Sequence, residues 1–161
     1  MITGESTLNL ARNNLLSYSV LMNERYAMPP HLVRIAKELQ AVERGENKRL
    51  IITLPPRHGK SMLVSEYFPA WFLGKNPDKQ IITSTYGQEL SSDFGRKVRR
   101  QMVEPLYKAI FPDAGLRDDT QAAHRMSLVG GGEYFSVGAG VPITGRGGHL
   151  LLVYDPIKRR E

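Results

Sequence analysis

Three short runs of branched apolar residues, RLIITL (49–54), KQIITSTY (79–86) and HLLLVYD (149–155), alternate with stretches whose apolar residues recur at helical spacing. Such runs suit strands buried on both faces, and strands separated by helical segments pair mostly in parallel. The pattern therefore predicts an α/β fold. HLVRIAKELQAVERG repeats apolar residues at Leu32, Ile35, Ala36, Leu39 and Val42 before Gly45 stops it. STLNLARNNLLSYSVLMNERY is helical but irregular, through Leu8, Leu15, Leu16 and Val20, and Pro29 and Pro30 break it. SMLVSEYFPAWFLG is expected to be helical until Pro69 disturbs it. QELSSDFGRKVRRQMVEPLYKAI reads as a helix weakened at Gly95 and interrupted at Pro105, and EYFSVGAG as an exposed or edge strand. A parallel sheet is normally covered by helices on both faces. No helical pattern follows the last strand, so the domain is expected to continue past Glu161.

Composition narrows the class further. The 161 residues suit one ordinary domain, and 41% hydrophobic content is enough for a core. No apolar run approaches the length of a membrane span, and the N-terminus lacks the charged start and apolar core of a secretory signal. With no cysteine there are neither disulfides nor thiolate metal sites. His31, His58, His124 and His149 show no metal-ligand spacing. The net charge of +6 favours polyanionic partners such as nucleic acid.

The junction LPPRHGKSMLVSEYF (54–68) carries the chemistry. The phosphate-binding loop G-x-x-x-x-G-K-[ST] lies between a strand and a helix, and Gly59, Lys60 and Ser61 fill its last three places. Gly59 lets backbone approach the phosphates, Lys60 neutralises their outer oxygens, and Ser61 offers a hydroxyl to Mg²⁺. The helix N-terminus adds oriented N–H groups. Leu54 stands where the first glycine is usual, and the stiff Pro55-Pro56 pair is expected to make the turn in its place. Pro56, Arg57, His58, Gly59, Lys60 and Ser61 are thus the candidate nucleotide-binding residues. Arg57 is an extra cation that either faces the γ-phosphate or a neighbouring subunit, or is a solvated loop charge.

Taken in order, RLIITLPPRHGKS, FPAWFLGKNPDKQIITSTY, FGRKVR and VPITGRGGHLLLVYDPIKRRE resemble the ATPase domain of the large terminase subunit of tailed phages. The likeness runs from about Met28 to Glu161. It implies an ASCE-type P-loop NTPase, a three-layer sandwich around a mostly parallel sheet, with a helical segment over 1–45 flanking the nucleotide site and a truncated ATPase core over 46–161. It implies ATP-driven translocation of double-stranded DNA into capsids, with ATP and Mg²⁺ as cofactors. The implied partners are DNA, a small terminase subunit, a portal protein and further copies in a ring, in the host cytoplasm and without a membrane. The family's nuclease domain has no counterpart in these residues. A helicase-like nucleic-acid ATPase and a remnant that binds nucleotide without turnover are the competing readings.

One departure bears on catalysis. P-loop ATPases use one strand-tip carboxylate for Mg²⁺ and an adjacent one to activate water. The family's strand ends in two acids, whereas here Tyr154 precedes Asp155. Neighbouring strand residues face opposite ways, so Asp155 cannot take both roles. Ser61 and Asp155 are the candidate metal ligands, Asp155, Arg146 and Arg57 the candidate catalytic residues, and impaired hydrolysis is expected. By resemblance Arg146, in TGRGG, reaches a neighbouring subunit's γ-phosphate; it reads equally as a loop arginine contacting DNA or solvent. Arg96, Lys97, Arg99 and Arg100 form a candidate phosphate-contacting face on one helix, or a solvated one. Ser84, Thr85 and Tyr86 end a strand on the ligand side of such sheets, where they sense ligand or cap the next helix. MPPHLVRIAKEL precedes the loop at the position where the family builds part of its adenine pocket.

Overall fold

The computed structural model describes residues 4–143 and 145–157, without the side chains of Thr120 and Gln121. The chain begins with three helices, α1 (Glu5–Asn13), α2 (Leu15–Met22) and α3 (Pro30–Glu43). Asn14 separates the first two in an extended conformation, and its side chain accepts a hydrogen bond from the Ser17 N–H, capping α2. Pro30 opens α3 at a position where a missing N–H costs nothing.

The helix after the GKS tripeptide starts at Lys60 and widens into a π-helical turn over Met62–Tyr67. It then continues as α4 (Phe68–Lys75). The Phe68 N–H donates to the Leu63 carbonyl, five residues back. In a regular α-helix the ring of Pro69 would clash with the Ser65 carbonyl. The wider turn immediately before it lets the helix pass the proline instead of stopping, and π turns of this kind are common at functional sites.

Five strands form one mixed sheet in the order β2-β3-β4-β1-β5. They are β1 (Gln80–Thr85), β2 (Leu116–Ala122), β3 (Arg125–Leu128), β4 (Glu133–Gly138) and β5 (Leu150–Tyr154). β1 pairs in parallel with both β4 and β5, while β3 runs antiparallel to β2 and β4. Four of the five strands therefore point the same way. α5 (Gln88–Val103) and α6 (Pro105–Ile110) follow β1, and the break between them falls at Glu104, whose extended backbone is what a residue before proline adopts.

Two sequence expectations are corrected here. RLIITL is extended but pairs with no strand among the described residues, and Ile51 is 90% exposed. Composition favours a buried strand, but a strand needs a neighbouring ladder, and among the described residues, residues 50–55 make no backbone–backbone hydrogen bond. EYFSVGAG is not an edge strand: β4 lies between β3 and β1, with Tyr134 and Val137 buried. The polar β2–β3 hairpin takes that edge.

Strand alternation sorts side chains onto two faces. Ile81, Tyr134, Leu150 and Leu152 join the core with the helices, where Ser136 and Thr85 bond to Ser91 of α5. On the opposite face Leu151 and Val153 are 61% and 56% exposed. The N-terminal helices share this core: Tyr18 packs edge-on against Tyr67 and Tyr107, and the Trp71 indole N–H donates to the Ala11 carbonyl. No helix among the described residues is long and apolar enough to cross a membrane.

Burial raises the pKa of the Tyr18 and Tyr107 phenols and pushes that of Tyr134 up to about 12. The unfolded chain would release these protons near the ordinary tyrosine value of ~10. The native state therefore has its full stability from this source below that pH and loses it as pH rises through the folded values. Following phenolate absorbance and far-ultraviolet circular dichroism together should show these tyrosines ionising only as helix signal is lost. Complete ionisation with an intact helix spectrum would contradict this burial.

Candidate nucleotide site

The loop over residues 55–61 is shaped by two left-handed residues, Arg57 (φ 63°) and Gly59 (φ 83°). Glycine adopts such angles freely, whereas a left-handed arginine costs about 1–3 kcal/mol and needs surrounding structure to hold it. A Cβ at Gly59 would also sit 2.9 Å from Leu32 Cδ1, so α3 presses on the loop there. His31, the second residue of α3, donates from Nε2 to the His58 carbonyl at 3.0 Å. The His58 ring donates from Nδ1 to the Pro56 carbonyl at 2.9 Å, and the two imidazoles stand 5.9 Å apart. The first bond ties MPPHLVRIAKEL to the loop, a role for His31 that no spacing in the sequence signals, and the second lies within the loop.

Lys60 and Ser61 then meet the C-terminal tip of β5. The Lys60 ammonium lies 3.6 Å from Asp155 Oδ1 and 5.1 Å from the centre of the Tyr154 ring. The Ser61 hydroxyl hydrogen-bonds the Tyr154 hydroxyl. Phe94 of α5 holds that ring edge-on at 5.0 Å and 75°. Asp155 is itself left-handed, with φ 40°, which turns its carboxylate to the lysine at the strand end. Ser61, Lys60, Tyr154 and Asp155 thus come together although 93 residues separate the two hydroxyls. A groove of about 970 Å³ leads from this point between residues 47–52 and β5, with Ile51, Lys60, Leu151 and Val153 on its walls.

The other candidates lie apart. Arg146 donates to Glu133 Oε1 at 2.6 Å and stacks over Phe135, with its carbon Cζ 4.0 Å from the ring centre. Glu133 is at the N-terminal end of β4, paired with Gln80, whereas Lys60 sits beyond the C-terminal end of β5. The arginine is therefore a strand length away from the lysine in the same chain. Arg96, Lys97, Arg99 and Arg100 occupy the exposed face of α5, opposite the buried Phe94, Val98 and Met102. Arg96 pairs with Asp93, and Lys97 with Glu66 at 2.8 Å, so part of that charge is already compensated. Thr85 donates to the Gly87 carbonyl at 2.7 Å, and its hydroxyl lies 2.9 Å from that of Ser91 at the start of α5. Of its neighbours, Tyr86 remains exposed.

The donor set at the strand tip fits a divalent cation poorly. Ser61 is engaged by a phenol and Asp155 by an ammonium. Among the described residues no group of three or more His, Asp or Glu side chains could hold a metal ion.

Comparison of this chain with known protein families, with curated proteins and with solved structures finds no match in any of the three.

Proposed function

We propose that residues 55–61 cradle the triphosphate of ATP, and that the chain is the ATP-binding part of a motor that moves double-stranded DNA, of the terminase large-subunit kind. The observation that carries this reading is the convergence of the Lys60 ammonium and the Ser61 hydroxyl on the tip of β5. A loop that heads a helix and abuts a parallel strand end is the arrangement in which backbone N–H groups and a lysine hold phosphates. On this reading Gly59 admits the phosphate chain and Lys60 leaves Asp155 for the outer oxygens. Arg57, exposed and with no ion pair among the described residues, adds a second cation. The basic face of α5 would meet the DNA backbone without regard to base sequence. Arg146 would serve a neighbouring copy in a ring, after exchanging Glu133 for a phosphate. The small terminase subunit and the portal protein remain partners on the strength of the motif series alone.

A second reading, nucleotide binding without turnover, is favoured by Tyr154. It occupies the place next to Ser61 where a carboxylate is needed for hydrolysis.

Calorimetric titration with ATPγS, with and without magnesium, tests the site. Hydrogen bonds to charged groups contribute about 1.5–3 kcal/mol, so Lys60→Ala should weaken binding roughly 10- to 150-fold in any medium where the wild type binds. Equal affinity of the two proteins would refute the cradle.

A further inference from the structure

We infer that this site takes its nucleoside triphosphate without a divalent cation, with Tyr154 standing in the place of the metal-binding acid. The inference rests on the triphosphate reading of residues 55–61 and adds what kind of ligand that site accepts.

In a P-loop site the ion is held by the Ser or Thr hydroxyl that follows the lysine, with a strand-tip carboxylate nearby to offset its charge. Here the hydroxyl partner of Ser61 is a phenol and not a carboxylate. The phenol is fixed. Phe94 packs edge-on against its ring, Lys60 lies over one face, and the hydroxyl is bonded to Ser61. Removing Tyr154 from Ser61 would break all three contacts together.

The remaining carboxylate does not replace the missing one. Asp155 lies just past the end of β5 with φ 40°, and its oxygen faces Lys60 at 3.6 Å. The loop and strand tip together carry two cations, Arg57 and Lys60, against one carboxylate. A divalent ion would enter a neighbourhood that is already positive, with no free acid to receive it. A triphosphate meets the opposite situation. Its charge is matched by Lys60, by Arg57 and by the N–H groups at the start of the helix, none of which needs a metal.

The same geometry explains how Ser61 is used. Its hydroxyl can donate to Tyr154 or accept from it, so the pair fixes the side chain without an ion. Tyr154 here is a positioning residue: it sets Ser61 and excludes the cation.

The test measures ATPγS affinity of the whole chain by calorimetry in EDTA and in excess magnesium. The two dissociation constants should agree to within about threefold, well short of the roughly tenfold change that 1.4 kcal/mol would bring. A larger tightening by magnesium in the wild type overturns the inference. Tyr154→Asp places a carboxylate beside Ser61, and magnesium should then tighten binding by about tenfold or more. Tyr154→Phe, which removes only the hydroxyl, should stay indifferent to magnesium. A Tyr154→Asp protein that folds, binds and ignores magnesium would deny Tyr154 its role. Should that variant not fold, the wild-type comparison alone still decides. Absence of any Lys60-dependent binding in either medium is a separate result, because it removes the triphosphate site itself and the inference with it.

Discussion

Gly95→Ala is expected to destabilise the chain by at least ~3 kcal/mol, although helix propensity alone predicts a gain of about 1 kcal/mol from the same change. Gly95 lies inside α5, where glycine normally weakens a helix. It is tolerated because the helix crosses the β2–β3 turn at close range. A Cβ at this position would fall 1.6 Å from the Ala123 carbonyl oxygen and 2.8 Å from its carbon. Both are backbone atoms, so relief requires moving the hairpin or the helix. Either movement disturbs Phe94, which packs against Tyr154, and Ser91, whose hydroxyl donates to the Val137 carbonyl at 2.6 Å. Gly87→Ala is the matched control. It caps the same helix at φ −152° and has nothing within 4 Å of a Cβ. Urea denaturation of the two variants should show a large loss for the first and little change for the second. A stabilised Gly95→Ala protein would mean that the hairpin does not pack where the structure puts it.

Trp71→Ala should cost about 3–5 kcal/mol, a large part of the roughly 5–15 kcal/mol that holds a typical domain together. Trp71 is fully buried, and it packs on Phe68 of its own helix. Lys75 covers the ring from 4.7 Å. Its indole N–H is the hydrogen-bond partner of the Ala11 carbonyl, so truncation leaves a buried acceptor unsatisfied as well as a cavity. The second contact holding α1 is at its end, where Arg12 Nε donates to the Ile110 carbonyl at 2.6 Å. With the indole gone, α1 should loosen before the sheet does. Amide hydrogen exchange should then show lost protection first over Glu5–Asn13, followed by global unfolding at lower denaturant. Unchanged protection of α1 would show that the tryptophan does not anchor it.

Two strands rich in branched apolar residues could be read from composition, although β5 is buried on one face only, with Leu151 and Val153 exposed on the other. KQIITSTY and HLLLVYD became β1 and β5, paired with each other, because their branched residues have no other low-energy use. RLIITL has the same composition and no ladder among the described residues, since pairing depends on a partner strand and local composition does not encode one. The β2–β3 hairpin was illegible for the opposite reason. Residues such as Arg117, Asp118 and Asp119 give no alternation, and the strand exists through its bonds to β3 at the sheet edge. Pro69 reads as a disturbance, and the π turn that absorbs it follows from the clash it avoids. At the site, the GKS tripeptide pointed to Lys60 and Ser61, and LLLVYDP pointed to the strand that meets them. The His31 contact and the Phe94 clamp on Tyr154 were invisible, because both depend on how helices lie across the loop and the strand tip. Arg146 shows the converse: the sequence offers it to a neighbouring subunit, DNA or solvent, whereas Glu133 and Phe135 of its own chain engage it.

The most direct measurement is the shift of backbone amide resonances of isotopically labelled protein during titration with ATPγS. If the cradle exists, the amides of Gly59, Lys60 and Ser61 should move together and saturate, and in Lys60→Ala the movement of Gly59 and Ser61 should need roughly 10- to 150-fold more nucleotide. If those three amides stay still while the nucleotide saturates some other part of the surface, or saturates nothing, the account of this site is wrong.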